Sequence, residues 1–213
     1  MRAATRTDRG TIPSRRSVEA EGRAVGLPDD DGFYDKIKPR LCSQIGEELR
    51  EARCVLDLGC GECELGRFLA ETYSQEVIGV DLADGSFPDL QELRGGAPTR
   101  LRCVKADAGR LDFLAAGAVD AVVMLWALHE LAQARTVLVE ARRVLRPGGE
   151  LLIVDFPRGS LAQRLWNEDY FTPQQAFDLL AVTGYADITV RLVERRQVLW
   201  AKGIRSASKE LAS

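Results

Sequence analysis

With 213 residues, 46% of them hydrophobic, the chain suits one α/β domain with an ample core. A net charge of −3 and a pI near 5.4 argue against a general nucleic-acid binder, which would present a basic face. No apolar run approaches the roughly 20 residues that cross a bilayer. With no leader-like segment at the start either, a cytoplasmic protein with no membrane or nucleic-acid partner is expected.

Residues 1–30 scatter Arg2, Arg6, Arg9, Arg15, Arg16 and Arg23 among Thr, Ser, Gly and Ala, with little apolar material to bury. Such a segment does not repay its ordering entropy and reads as a solvated tail. A transit-peptide reading is opposed by Asp8, Glu19 and Glu21. From 33 to 52, Tyr34, Ile37, Leu41, Ile45 and Leu49 recur at helical intervals, predicting an amphipathic helix. Strands are predicted at 54–58, 76–80, 100–104, 119–125 and 150–155. Their continuous apolar runs suit parallel strands buried on both faces. Helices are predicted near 64–73, 87–94, 109–116 and 134–146, the last ended by Pro147-Gly148-Gly149. Thr172 and Pro173 read as the cap and first turn of a helix running to about Val182, with Gly184 as its stop. Two last strands are expected around Ile188-Val190-Leu192 and Val198-Leu199-Trp200. The domain is bounded at 31–204, with a second tail at 205–213, and there is no internal repeat.

The most informative stretch is Val55-Leu56-Asp57-Leu58-Gly59-Cys60-Gly61-Glu62, an apolar strand entering a glycine-pivoted turn ahead of a helix. In a doubly wound sheet this is where backbone N–H groups and a helix N-terminus face a ligand. Asp81 follows Gly59 by 22 residues, at the tip of the next predicted strand, where an acid can accept both hydroxyls of a ribose. The sequence therefore points to a nucleoside-containing cofactor. A solvated strand end is the plainer reading of Asp81.

That turn, Val77-Ile78-Gly79-Val80-Asp81, the 106–111 segment, the 119–131 run and Arg143 to Phe156 together resemble the ordered motifs of class I S-adenosylmethionine-dependent methyltransferases. The resemblance covers residues 54–156, with weaker similarity on to Gly203. It implies a single Rossmann-like doubly wound sheet of seven strands, mostly parallel with the last antiparallel. It also implies S-adenosyl-L-methionine as cofactor and S-adenosyl-L-homocysteine as product. Asp57 and the Gly59 carbonyl would face the ammonium, with Cys60, Gly61, Leu82 and Leu125 around the ligand. Asp107 would accept from the adenine amine and Ala108 would offer its N–H, although Asp107 also reads as the cap of the 109–116 helix. Where the family commonly has a glycine, two positions after Gly61, this chain has Cys63, with Gly66 a turn further on.

Cys60-Gly61-Glu62-Cys63 also matches C-x-x-C, so redox and zinc readings are weighed. Zinc would want a second such pair or paired histidines, and His129 is the single histidine. No metal is expected, and the pair is read as lying in the cofactor turn. Cys54 and Cys103 read as small core residues in strands, leaving Cys42 and Cys63 as the plausible pocket thiols. A nicotinamide oxidoreductase is disfavoured because Glu64 stands where that fingerprint wants its third glycine.

Methyl transfer from a sulfonium has an activated leaving group, so the protein supplies mainly alignment and a dry pocket. The acceptor should sit at the carboxyl ends of the fourth and fifth predicted strands. His129 there is a candidate base or a turn cap, Asp155 a second candidate base, and Trp126 an aromatic wall or a core residue. Tyr34 could close over the cofactor from the first helix. Residues 157–172, carrying Leu161, Leu165, Trp166, Tyr170 and Phe171, read as a substrate-choosing lid or as a short structural helix. The expectation is methyl transfer to a small-molecule acceptor by a monomer or homodimer. A protein that binds adenosylmethionine without turnover is the alternative.

Overall fold

The computed structural model describes residues 17–18, 32–85, 87–88 and 100–207. In chain order these form β1 (Ser17–Val18), α1 (Phe33–Glu48), β2 (Cys54–Leu58), α2 (Glu64–Tyr73), β3 (Glu76–Asp81), β4 (Leu101–Lys105) and β5 (Val119–Leu125). A 3-10 turn at Leu128–Glu130 follows, then α3 (Ala134–Val144), β6 (Leu145–Asp155), α4 (Leu161–Trp166), α5 (Pro173–Val182), β7 (Tyr185–Val193) and β8 (Val198–Arg205).

Strands β2 to β8 make a seven-stranded mixed sheet in the order β4-β3-β2-β5-β6-β8-β7, with the last strand, β8, antiparallel to both neighbours. This is the Rossmann-like arrangement expected from the sequence. The order reverses between β2 and β5, which pair in parallel, so the crevice above their carboxyl ends is the switch point of the fold.

Burial on both faces explains the unbroken apolar runs. Val55 and Val123 pack with Leu41, Ile45, Leu65 and Leu69 of α1 and α2 on one side. Their neighbours Leu56, Val122 and Met124 pack with Leu138 and Ala141 of α3 and Leu180 of α5 on the other. Successive strand residues point to opposite faces, so one continuous apolar strand feeds two cores. Leu41, Leu56 and Leu138 are wholly buried, and truncating any of them to Ala would cost about 2–5 kcal/mol.

The predicted start of α5 holds in detail. Thr172 accepts from the Gln175 N–H at 3.1 Å while the Gln175 side chain accepts from the Thr172 N–H at 2.9 Å, a complete capping box with Pro173 in the first turn.

Three expectations need correction. Residues 109–116 are turns, not a helix, because distant side chains satisfy their backbone. The Leu111 N–H donates to Glu140, and Arg143 donates to the Leu111 and Leu114 carbonyls. β6 begins at Leu145 rather than 150, since Leu145 pairs with Val119 before the register jumps to Ala121 opposite Glu150. Arg146–Gly149 forms the excursion between them. Gly149 is required there, as a Cβ would lie 2.8 Å from the Asp120 carbonyl. Finally, α1 ends at Glu48, not at 52.

Ser17–Val18, within the predicted tail, adds a parallel edge strand beside Thr189 and Val190 of β7. The rest of 1–30 and most of the predicted 87–94 helix lie outside the described residues. At the other end β8 reaches Arg205, and 208–213 lie outside the described residues.

Candidate functional site

The turn after β2 is shaped by what surrounds it. Gly59 takes a positive φ of 74°, and a Cβ there would lie 2.5 Å from the Ala127 Cβ. Only glycine accommodates both demands. The Gly59 and Cys60 N–H groups donate to the Val80 carbonyl at 2.8 and 3.1 Å, tying the turn to β3. Gly61 has a φ of 49° and open space where a Cβ would stand. Its N–H donates to Asp81 Oδ2 at 2.9 Å, and Asp81 Oδ1 accepts from the Ala83 N–H at 3.1 Å. The acid at the tip of β3 thus holds the turn after β2.

Above this turn opens a cavity of about 430 Å³, lined by Asp57, Gly59, Cys60, Gly61, Leu125 and Trp126 together with Lys38, Glu62, Glu64, Leu65 and Glu130. Asp57 is 2% exposed, and its Oδ2 has no hydrogen-bond partner. Burial, and then the charge of Asp81, push its carboxyl up to about 7. Asp57 thus brings to the cavity wall a buried carboxyl with one oxygen unpartnered. Lys38 reaches over the mouth, paired with Glu64 and 5.6 Å from the centre of the Trp126 ring.

Asp81, Leu82, Asp107 and Ala108 stand outside that lining, at and just past the ends of β3 and β4. Leu82 is 70% exposed. Asp107 caps no helix; its Oδ1 accepts from the Gly109 N–H at 2.8 Å to close a turn. Ala108 packs at the margin of the α3-side core.

The ends of β5 and β6 carry a second constellation. His129 Nδ1 lies 2.7 Å from Asp155 Oδ1, while the His129 N–H donates to Asp155 Oδ2 at 2.9 Å. Asp155 Oδ1 also accepts from the Phe156 N–H at 2.8 Å. On the far side His129 Nε2 is 3.2 Å from Glu168 Oε2 and 4.0 Å from Glu130. Burial alone would lower the imidazole's pKa. The Asp155 hydrogen bond and charge, with Glu130 and Glu168, outweigh it and raise the value. Asp155 is fully hydrogen-bonded and 2% exposed, so it orients the ring rather than facing a ligand itself.

Around His129 lie aromatic rings. Trp126 stacks on Phe156 at 5.2 Å, and Tyr170 sits 4.8 Å from the imidazole. Trp126 has a φ of 58°, an outlier for a bulky side chain, and its buried Nε1 has no partner. Tyr34 does not line the cavity. Its hydroxyl accepts from the Ala162 N–H at 2.9 Å, and its ring packs on Phe156 and Trp166. The aromatic-rich 157–172 segment therefore contains a short helix, α4, whose Leu161 and Ala162 join the α1-side core while Trp166 stays 48% exposed.

Residues 56–153 match the family described as Methyltransferase domain. This segment, from β2 into β6, is similar to methyltransferase domains. Across 115 residues the chain is 36% identical to an uncharacterized methyltransferase of Mycobacterium bovis, covering 54% of this chain and 56% of that protein. It is 37% identical over 107 residues to the demethylmenaquinone methyltransferase of Thermus thermophilus, covering 48% of this chain and 47% of that one. The chain thus spans about half the length of these relatives. Its fold superposes with a TM-score of 0.66 on the Burkholderia thailandensis 1,6-didemethyltoxoflavin-N1-methyltransferase, solved with bound 1,6-didemethyltoxoflavin and S-adenosylhomocysteine. That likeness, at 23% identity, covers 83% of this chain and 81% of the other.

Sequence reasoning missed several groups in and around this site. Lys38 and Glu64 sit on helix faces without any motif, and Glu168 lies in an irregular stretch whose place depends on α4. Cys103 was read as a core strand residue, yet it meets Cys63 at 2.7 Å. Among the described residues no group of three or more His, Cys, Asp or Glu is arranged to hold a metal ion. Nor is any described helix long and apolar enough to cross a membrane.

Proposed function

We propose that this chain transfers a methyl group from S-adenosylmethionine to a small-molecule acceptor, releasing S-adenosylhomocysteine. The observation that carries the reading is the unpartnered, buried Asp57 oxygen in a cavity floored by a glycine turn. That carboxylate fits an ammonium, and the methionine end of the cofactor brings one. Asp57 and the Gly59 carbonyl would hold the ammonium, with Cys60, Gly61 and Leu125 enclosing the amino-acid portion. Asp81 would exchange its bonds to the turn for the ribose hydroxyls. Asp107, Ala108 and Leu82 would border the adenine. The cofactor itself supplies the activated methyl group.

The protein's own chemistry then lies with His129. In its neutral form the ring keeps an Nδ1–H on Asp155 and presents the Nε2 lone pair, which takes the acceptor's proton as the methyl arrives. Glu168, about half exposed, steadies the resulting imidazolium and offers the proton a route to solvent. Asp155 and the His129 backbone fix the ring, and Trp126 forms a wall beside the reacting atoms that helps exclude water.

A small-molecule acceptor is supported by the names of the Thermus and Burkholderia proteins. A cytoplasmic monomer or homodimer is the setting this reading takes. The test is to incubate the chain with adenosylmethionine carrying a labelled methyl group and a fractionated cell extract. Label should enter a low-molecular-weight product with stoichiometric adenosylhomocysteine. Label confined to protein or nucleic acid would overturn the small-molecule assignment, and cofactor binding with no transfer to any fraction would overturn the activity.

A further inference from the structure

Cys60 and Cys63 of the turn after β2 converge with Cys103 of β4. Cys60 Sγ lies 3.0 Å from Cys63 Sγ, and Cys103 Sγ of β4 lies 2.7 Å from Cys63 on its other side. β3 passes between these elements as Gly79, where a Cβ would fall 2.9 Å from the sulfurs of both Cys60 and Cys63. The glycine makes the room that the sulfurs fill. Cys63 is wholly buried at a φ of 54°, as the residue that starts α2. Cys60 instead lines the cavity, where small solutes reach it.

We propose that Cys60 and Cys63 are a peroxide-oxidised dithiol, whose disulfide closes the turn against adenosylmethionine. This consequence for the cofactor rests on the function proposed above, whereas disulfide formation does not.

The three sulfurs have different parts. The Cys63 thiol is held protonated, first by its hydrogen bond to Cys60 and then by burial; burial and Cys63 push Cys103 up to about 12. Cys60 is the sulfur that lines the cavity, beside the N-terminus of the ten-residue α2, and is the one that peroxide meets first. The Cys60 thiolate attacks one oxygen of hydrogen peroxide, breaking the O–O bond; with one proton taken up, this gives a sulfenic acid and water. The Cys63 sulfur then attacks the Cys60 sulfur. The S–O bond breaks, the Cys63 proton and the hydroxyl leave as a second water, and the S–S bond forms. Overall two thiols and one peroxide become one disulfide and two waters. Cys103, against Cys63 on its other side, keeps its proton and stays outside the reaction.

Disulfide formation must draw the two sulfurs from 3.0 Å to about 2.05 Å. The span they bracket contains Gly61, whose N–H is bonded to Asp81. Tightening it displaces the backbone that encloses the ligand's amino-acid portion.

The test uses the full reduced chain, treated with hydrogen peroxide, alkylated with N-ethylmaleimide and digested with trypsin. Cleavage after Arg53 and Arg67 puts Cys54, Cys60 and Cys63 on one peptide, with Cys103 on another. The expected product is the first peptide short of two hydrogens and carrying one maleimide. That loss should vanish in Cys63→Ser and persist in Cys54→Ser and Cys103→Ser. Full alkylation after peroxide, or a product joining the two peptides, would overturn the Cys60–Cys63 assignment. Adenosylhomocysteine affinity is then titrated before and after oxidation. A loss of tenfold or more, reversed by dithiothreitol and absent in Cys63→Ser, is expected. Unchanged affinity in the oxidised chain would overturn the closure. If the reduced chain binds no adenosylhomocysteine, the proposed function fails while the mapped disulfide stands.

Discussion

Replacing Asp57 by Asn should make the ligand-free protein more stable and the cofactor site useless. The folded-state value of about 7 against an ordinary 3.8 is a rise of roughly three units, or about 4 kcal/mol at 1.36 kcal/mol per unit. Because the raised carboxyl binds its proton more tightly when folded, its contribution to stability is fully present below about pH 4. It is lost as pH rises to about 7. At pH 8 the wild-type chain therefore carries the full cost of a buried carboxylate with one oxygen unpartnered. An amide keeps the shape and removes the charge, but its own buried polar atoms return about 1–3 kcal/mol of cost. A net gain of about 1–3 kcal/mol remains, and each kcal/mol raises the melting temperature by about 2–4 °C in a chain of this size. Thermal melts at pH 8 and pH 5 should show Asp57→Asn ahead at the higher pH, with the gap narrowing at the lower. Adenosylhomocysteine should raise the wild-type midpoint and leave the variant's unmoved. A variant that melts below wild type at pH 8, or a pH-independent difference, would show that the Asp57 charge is not what costs stability.

Asp81→Ala should weaken adenosylhomocysteine binding at least tenfold in isothermal titration, since each charge-assisted hydrogen bond lost is worth about 1.5–3 kcal/mol; unchanged affinity in a folded variant would place the ribose elsewhere. His129→Ala should lower kcat by about 10²–10⁴, the range for a positioned base, with cofactor affinity within a few-fold of wild type. In the wild-type pH profile the acid limb of kcat should lie above about 6.5, the imidazole's ordinary value, because Asp155 holds the proton on the ring. Asp155→Asn should move that limb to lower pH, and a limb that stays put would separate the base from this pair.

Much of the sheet was legible because burial on both faces leaves unbroken apolar runs, and Cys54–Leu58 and Val119–Leu125 occupy the predicted residues. The α5 start was equally plain, since Thr172, Pro173 and Gln175 carry the whole capping box locally. Failures came where distant groups decide. Leu111 and Leu114 have helix-like spacing, yet Glu140 and Arg143, far along the chain, hold their backbone as turns. Pro147-Gly148-Gly149 looked like a helix stop, while the pairing of Leu145 with Val119 had already begun the strand. At the site, Asp57, Gly59 and Gly61 announce themselves through one contiguous motif. The partnership of His129 with Asp155 and Glu168 joins three separate segments, and that of Cys63 with Cys103 crosses β3. No local spacing encodes such meetings.

We propose that the glycine turn and Asp57 are built for adenosylmethionine. Isothermal titration of the reduced chain with S-adenosylhomocysteine, and separately with a nicotinamide dinucleotide, addresses it most directly. Saturable one-site binding of the first, weakening as pH falls below about 7 where Asp57 takes its proton, and none of the second is the predicted result. Tight binding of the dinucleotide with no response to S-adenosylhomocysteine would contradict it.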